Sequence, residues 1–463
     1  MDAVSMKSSD QRTRRSANFT PSLWKEYLLR LERQVSTYDF KKEEFCEQER
    51  EHERLKEVVR MMLTEPGVGS GPQTLDLIDI IERLGLFYHF ECEIQALMLT
   101  SKLEHGDEYD DHDLHKVALR FRLLRQLGHY VSCDVFNKFK DQEGNFKESL
   151  VTDVRGLLGL FEAAHYRVHE EDILGEALNF TTSQLVSMLP NLDHFWTPRV
   201  KQALEVPIQK TLNRIGARRF ISLYEEDTSH NAVLLKFAKL DFNILQRLHQ
   251  KELLNEAKWW NSLNAAENFP FARDRLVECS FWTLGVYFEP KYSEARQSLA
   301  KVIAMVSIVD DIYDSYGFLD ELLLFMDSIE RWHISALDQL PSYMGQCYRA
   351  LLNVYNEIEE RLAKEGKSDL INYAISSKKN LARSYLEEAK WIYRKEVPNF
   401  EEYMKVALVS ATYEHLSTAS LVCMGEFVAE DALKWIVKVP SIVRASSVIC
   451  RLMDDMADYE VAI

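Results

Sequence analysis

Three carboxylates close an apolar run in KVIAMVSIVDDIYDSYG, residues 301–317. Val302, Ile303, Met305, Val306, Ile308 and Val309 leave almost no polar face, a pattern that predicts a buried helix. Asp310, Asp311 and Asp314 end it. At helical spacing Asp310 and Asp314 share a face, and Asp311 neighbours Asp314. Negative charges gathered at the C-terminal end of a buried helix repel one another and oppose its dipole, and bound cations relieve both effects. Oxygen-only ligation suits Mg2+, which shares its coordination sphere with water and phosphate oxygens. The alternative is a solvated acidic helix end, and the apolar residues ahead of it argue against that.

A second acidic group lies near the end of the chain, in RLMDDMADYEVAI. Asp454 and Asp458 fall on one helix face, and Asp455 lies about 100° round. Alone this reads equally well as an exposed turn; beside the first cluster it suggests two facing helices that clamp metal ions. Upstream, Arg273 and Arg275 flank Asp274 between two apolar stretches. Paired guanidiniums suit bidentate phosphate recognition, although a surface ion-pair turn would look the same. Trp282, Tyr313 and Tyr413 belong to an aromatic set that either fills the core or lines a dry pocket able to stabilise a cation.

The elements that must position these residues are helical. Only 16 Gly and 11 Pro occur in 463 residues, too few for the regular turns of a sandwich or barrel. Apolar residues recur at helical spacing from Leu75 onward, and no strand alternation persists. The glycine-rich EPGVGSGP segment at 65–72 follows no strand and reads as a connector. A polar cluster at 225–232 suggests two helical domains, 1–229 and 230–463. With 56 basic against 73 acidic residues the net charge is −17, which disfavours nucleic acid and anionic membrane as partners. The seven cysteines form no CxxC pair, which argues against a disulfide or zinc framework and for a reducing compartment. No apolar run is long enough to span a membrane. The N-terminal segment lacks the apolar stretch of a secretory signal, so a cytoplasmic location is expected.

At these motifs the sequence resembles the plant terpene synthases, most closely their cytosolic sesquiterpene branch. RRSANFTPSLW sets eight residues between the Arg14–Arg15 pair and Trp24, similar to the family's RRx8W signature. RDR at 273–275 precedes DDxxD at 310–314, and RLMDD at 451–455 resembles the start of the second metal motif. The resemblance extends over almost the whole chain. It implies an all-α fold: an N-terminal helical barrel and a C-terminal class I helical bundle. It implies Mg2+, three ions in the intact family with Mn2+ as a substitute, held by Asp310, Asp311, Asp314, Asp454 and Asp458. It further implies a prenyl diphosphate substrate, expected to be farnesyl diphosphate, gripped by Arg273, Arg275 and Arg451, with Asp310 and Asp314 reaching it through metal. Ionisation would give an allylic cation beside Trp282, Tyr313 and Tyr413 that cyclises to a sesquiterpene. A monomer is expected. The acids at Asp110, Asp111 and Asp113 do not form the DxDD pattern of protonation-initiated cyclases.

The sequence departs from the family pattern in two places. The second motif calls for ligands at the positions of Asp454, Asp458 and Ala462; alanine supplies none, and Glu460 points elsewhere on the helix. The sequence stops at Ile463, where family members continue with further helices. These departures imply a weakened metal site and an alternative reading: an impaired remnant that at most binds Mg2+ and diphosphate.

Overall fold

The computed structural model describes residues 19–20, 22–36, 38, 42–65, 72–105 and 112–462, and only the backbone of 42, 72, 104, 105 and 458–462. Arg14, Arg15, Asp110 and Asp111 lie outside these residues, as does the side chain of Asp458. Every regular element described is helical, as the composition predicts; Lys140 and Phe146 form one isolated antiparallel bridge. None of the described helices is long and apolar enough to cross a membrane.

The chain forms two compact units. One comprises the described residues of Tyr38–Arg247, the other those of Met1–Thr37 with Leu248–Ile463. Residues 225–232 include the turn before a long helix, Ala232–Ser262, and the division between the units falls inside that helix.

In the first unit, Leu114–Gln126 packs on Val154–Ala164 and on Pro72–Arg83. Asp113 caps the first of these helices by accepting from the Lys116 N–H at 3.3 Å, and Asp153 caps the second by accepting from the Gly156 N–H at 2.8 Å. The interior of this unit is not purely apolar. Arg122 is buried and pairs with Asp79 and with Glu82 (3.2 Å), while Arg83 bonds Asp79 (2.8 Å) and Glu162 (2.5 Å).

In the second unit the expected buried helix spans Ser293–Asp311. Val302, Met305, Ile308 and Val309 are at most 1% exposed, because Leu276–Val286, Ser342–Lys364 and Tyr413–Cys423 all pack around them. Each such side chain contributes about 1.5–3 kcal/mol by leaving water, enough to anchor a helix whose polar end is costly. The helix does not continue in α form. Residues Ile312–Tyr316 make a π turn that packs on the Ile371–Arg394 helix, and the Gly317 N–H closes it onto the Ile312 carbonyl at 2.8 Å. A Cβ at Gly317 would meet the Leu322 side chain at 2.5 Å, so any larger residue would force that buried side chain to shift. The last helix, Ser441–Ala462, packs on Phe400–Ser410 and Tyr413–Cys423.

Candidate active site

The Ser293–Asp311 helix delivers Asp310 and Asp311, and the π turn that follows delivers Asp314. The widened turn changes the register read from the sequence, where all three acids sat on one α-helix; π turns of this kind recur at functional sites. The three carboxylates have different surroundings. Asp311 is 2% exposed and is clamped by Arg273: its Oδ2 accepts from the backbone N–H at 2.9 Å, and its Oδ1 from Nε at 3.1 Å. Asp310 is 28% exposed and holds a longer bond, 3.4 Å, to Arg273 Nη2. Asp314 reaches solvent.

Opposite them, the Ile371–Arg394 helix brings in Tyr385 and Glu388. The Ser410 hydroxyl donates to Glu388 at 2.6 Å. The buried Tyr385 hydroxyl faces Asp310 without reaching regular hydrogen-bond geometry. Burial, then Asp314 and Asp311, push the Asp310 carboxyl up to about 7. The surrounding protein, then Glu388 and Asp311, push Asp314 up to about 6, against the pull of Arg273 and Arg451. Burial raises Glu388 to about 7, and Asp310 and Asp455 add to it. Burial also raises Asp311, but the bonds from Arg273 restrain the shift. These carboxylates share too few cations to be fully ionised together near neutral pH. Asp310, Asp314 and Glu388 are at least partly open to water. That donor set, hard oxygen with excess negative charge, fits divalent cations.

The last helix places Arg451 and Asp455 toward this cluster, where they act electrostatically on Asp314 and Glu388. Arg451 Nη2 pairs with Asp454 at 2.5 Å and Asp455 at 2.8 Å. The Tyr403 hydroxyl donates to both Asp455 oxygens at 2.8 Å. Burial opposes the charge on Arg451, but Tyr403, Asp455, Asp454 and Glu388 outweigh it and raise the guanidinium pKa. The Asp454 side chain is 57% exposed.

Arg273 lies in the loop before Leu276–Val286, and Arg275 at the head of that helix, close enough to pull Asp311 down. The Phe19 ring stacks on the Arg273 guanidinium at 4.7 Å, and Trp24 Nε1 donates to Glu278 at 2.8 Å, so the N-terminal segment reaches the RDR loop and the helix after it. Of the aromatic candidates, Trp282 and Tyr413 are exposed. Tyr313 is buried, with its hydroxyl on the Met326 sulfur and its ring 6.0 Å from that of Tyr385. Glu388, Tyr385 and Tyr403 belong to none of the sequence motifs. A signal for Glu388 exists: it follows Tyr385 by three positions on a face otherwise built from Leu381, Ala382, Tyr385 and Ala389, where a charged residue is out of place.

Comparisons with known proteins identify the family. Residues 261–462 match the family described as "Terpene synthase family, metal binding domain", and residues 23–205 match "Terpene synthase, N-terminal domain". A (-)-germacrene D synthase of Vitis vinifera is 52% identical over 99% of this chain and 81% of its own length. A valencene synthase of the same species is 49% identical over 96% of this chain and 79% of its own. Among solved structures, limonene synthase with 2-fluorolinalyl diphosphate superimposes with a TM-score of 0.86 at 34% identity, covering 96% of this chain and 81% of that one. Isoprene synthase from grey poplar, in complex with three Mg2+ ions and dimethylallyl-S-thiolodiphosphate, gives 0.83 at 35% identity, covering 89% and 79%. The chain belongs to the terpene synthase family.

Proposed function

We propose that this chain is a sesquiterpene synthase that ionises farnesyl diphosphate with the help of Mg2+ and cyclises the resulting allylic cation. The observation that carries the reading is the crowding of Asp310, Asp314 and Glu388, whose carboxyls rise to about 6–7 because like charges share a buried space with too few partners. Its similarity to the grapevine germacrene D and valencene synthases supports a fifteen-carbon substrate.

In this reading Asp310, Asp311 and Asp314 would hold metal, with Glu388 facing the same space, and Asp454 and Asp458 would supply the second set of ligands. Bound Mg2+ would neutralise charge on the diphosphate leaving group. Arg273, Arg275 and Arg451 bind diphosphate oxygens, and the positive field they set up favours breakage of the allylic C–O bond. Arg273 spans Asp310 and Asp311, so it orders those carboxylates. Trp282 and Tyr413 would stand beside the carbocation, and the buried Tyr313 sets its ring 6.0 Å from that of Tyr385. Exclusion of water until a proton leaves the cation would yield a hydrocarbon rather than an alcohol.

The test is incubation of purified protein with farnesyl diphosphate, with and without Mg2+, and analysis of the extract for C15 products. A cyclic hydrocarbon formed only with Mg2+ is expected. Farnesol alone would place water at the cation. Folded protein without turnover would overturn the assignment and leave the impaired remnant.

A further inference from the structure

The unit formed by Tyr38–Arg247 contains a second convergence of ligand-type side chains. It is independent of the carboxylates described above. His52 lies on the Lys42–Thr64 helix, His89 closes the short turn Phe87–His89, and Asp241 lies on the long Ala232–Ser262 helix. Three elements far apart in sequence thus meet at one point. His52 Nε2 is 3.0 Å and His89 Nε2 2.8 Å from the same oxygen, Asp241 Oδ1, and all three ligand atoms lie within 4.8 Å of one another. The Tyr88 hydroxyl donates to that oxygen at 2.6 Å. Phe237 packs against both imidazoles, its ring 4.9 Å from His52 and 5.3 Å from His89, so the apolar wall keeps the site compact.

The proton count at His52 is what needs explaining. Its Nδ1 lies 3.3 Å from a Glu53 carboxylate oxygen and its Nε2 3.0 Å from Asp241. A neutral imidazole has one proton to give. A proton on Nε2 bonds Asp241 and leaves the Nδ1 lone pair facing the exposed Glu53; a proton on Nδ1 bonds Glu53 and leaves the Nε2 lone pair facing the buried Asp241. A cation between His52 and Asp241 makes use of that second lone pair while Nδ1–H serves Glu53. A carboxylate on the far nitrogen of a histidine is also the outer-shell arrangement that orients metal-ligating imidazoles. In a tetrahedral zinc site with bonds of about 2.0 Å, ligand atoms stand roughly 3.3 Å apart. The observed 3.0 and 2.8 Å need to open by only a few tenths of an ångström.

We propose that His52, His89 and Asp241 form a structural binding site for a borderline-soft divalent metal, Zn2+ in the first instance, that ties three helical segments of the N-terminal unit together. Two imidazoles and one carboxylate select Zn2+ or Co2+ over the Mg2+ suited to the all-oxygen cluster. Water completes the fourth position. Metal here fastens the fold, and Lys56 nearby adds repulsion that the two carboxylates must outweigh.

The full chain, made without a histidine tag, is equilibrated with micromolar Zn2+, gel-filtered and analysed for metal. About one zinc per chain is expected to remain, and removing it with chelator should lower Tm by several degrees. Co2+ in its place should give the intense visible absorption of a tetrahedral nitrogen-containing site. The His89→Gln variant should lose the zinc, while Asp310→Asn/Asp314→Asn, altered only in the active-site cluster, should keep it. Wild-type protein retaining less than about 0.1 zinc per chain overturns the proposal. So does loss of zinc from the double variant, or its full retention by folded His89→Gln. Should His89→Gln not fold, the wild-type stoichiometry and the double variant decide alone.

Discussion

Both units bury charge, and they do so in opposite ways. In the first, Asp79, Glu82 and Glu162 are matched by Arg83 and Arg122 at hydrogen-bond or ion-pair distance, and the network is nearly closed. In the second, Asp310, Asp311, Asp314 and Glu388 crowd together with Arg273 and Arg451 as their main cationic neighbours. The carboxyl pKa values separate the two regions. Burial works against Asp79, but Arg83 and Arg122 bring it below the usual carboxylate range; Asp310 rises to about 7. A buried network in which each carboxylate meets a guanidinium fixes a fold, whereas one whose carboxylates crowd one another stores binding capacity for something positive that is not part of the chain.

The sharpest way to break this comparison is to neutralise one residue on the unbalanced side. Asp310→Asn should lower turnover of farnesyl diphosphate by about 10²–10³-fold, the usual effect of removing one preorganised electrostatic group. In chelator the same variant should melt at a higher temperature than the parent, because it removes repulsion. An unchanged or lower Tm would mean that the crowding is not unfavourable and that the two regions do not differ as described. Asp311→Asn should lose activity too, but without stabilisation, since it gives up charge-assisted bonds to Arg273.

On the balanced side, Arg122→Met leaves Glu82 without its ion-pair partner and Asp79 with Arg83 alone. Loss of one member of such a network costs about 3–5 kcal/mol, measurable by urea denaturation. Whatever folded protein remains should turn over substrate at the parent rate. A stability loss below about 1 kcal/mol would reclassify the network as dispensable surface pairing.

Dependence on pH offers a milder contrast, with opposite signs in the two regions. Asp310 and Glu388 bind protons more tightly when folded, so their contribution is fully present below the unfolded pKa values near 4 and is lost as pH rises through about 7. Chelator-treated protein should therefore lose stability between roughly pH 4 and pH 7 from this region. Asp79 works the other way: its contribution is present above its unfolded pKa and is lost as pH falls, with Glu82, raised by burial, offsetting part. Asp310→Asn should flatten the loss above pH 5 and leave the acid limb intact. Mg2+ should stabilise the parent more at pH 7.5 than at pH 5.5, since ligands must shed protons to bind it. An equal effect at both values would speak against metal at these carboxylates.

The first aspartate cluster was legible because its signal is local: an apolar helix that ends in acids contradicts itself unless something resolves the conflict. The helical fold was legible for the same reason, from periodicity and the shortage of glycine and proline. Glu388 was hidden because it stands beside Glu387, whose exposed pairing with Lys390 makes the segment look like an ordinary charged helix. The π turn was hidden because a five-residue turn leaves little mark on an α-helical pattern. His52, His89 and Asp241 could not be connected at all, since nothing local joins residues on three separate elements.

The smallest expected effect concerns the last helix, where Tyr403 and Arg451 share Asp455. Removing the Tyr403 hydroxyl deprives a charged acceptor of one bond. Because Asp455 is 34% exposed, water replaces part of what is lost, and the stability cost should be about 1 kcal/mol. The functional consequence should be more specific. With Tyr403 gone, Arg451 is the strongest remaining partner of Asp455 and is drawn toward it, away from any diphosphate it would grip. Tyr403→Phe should therefore raise KM for farnesyl diphosphate severalfold with little change in kcat, the signature of lost ground-state binding. A fall in kcat at constant KM would instead place Arg451 in the bond-breaking step itself, and no kinetic change would confine Tyr403 to holding the last helix on its neighbours.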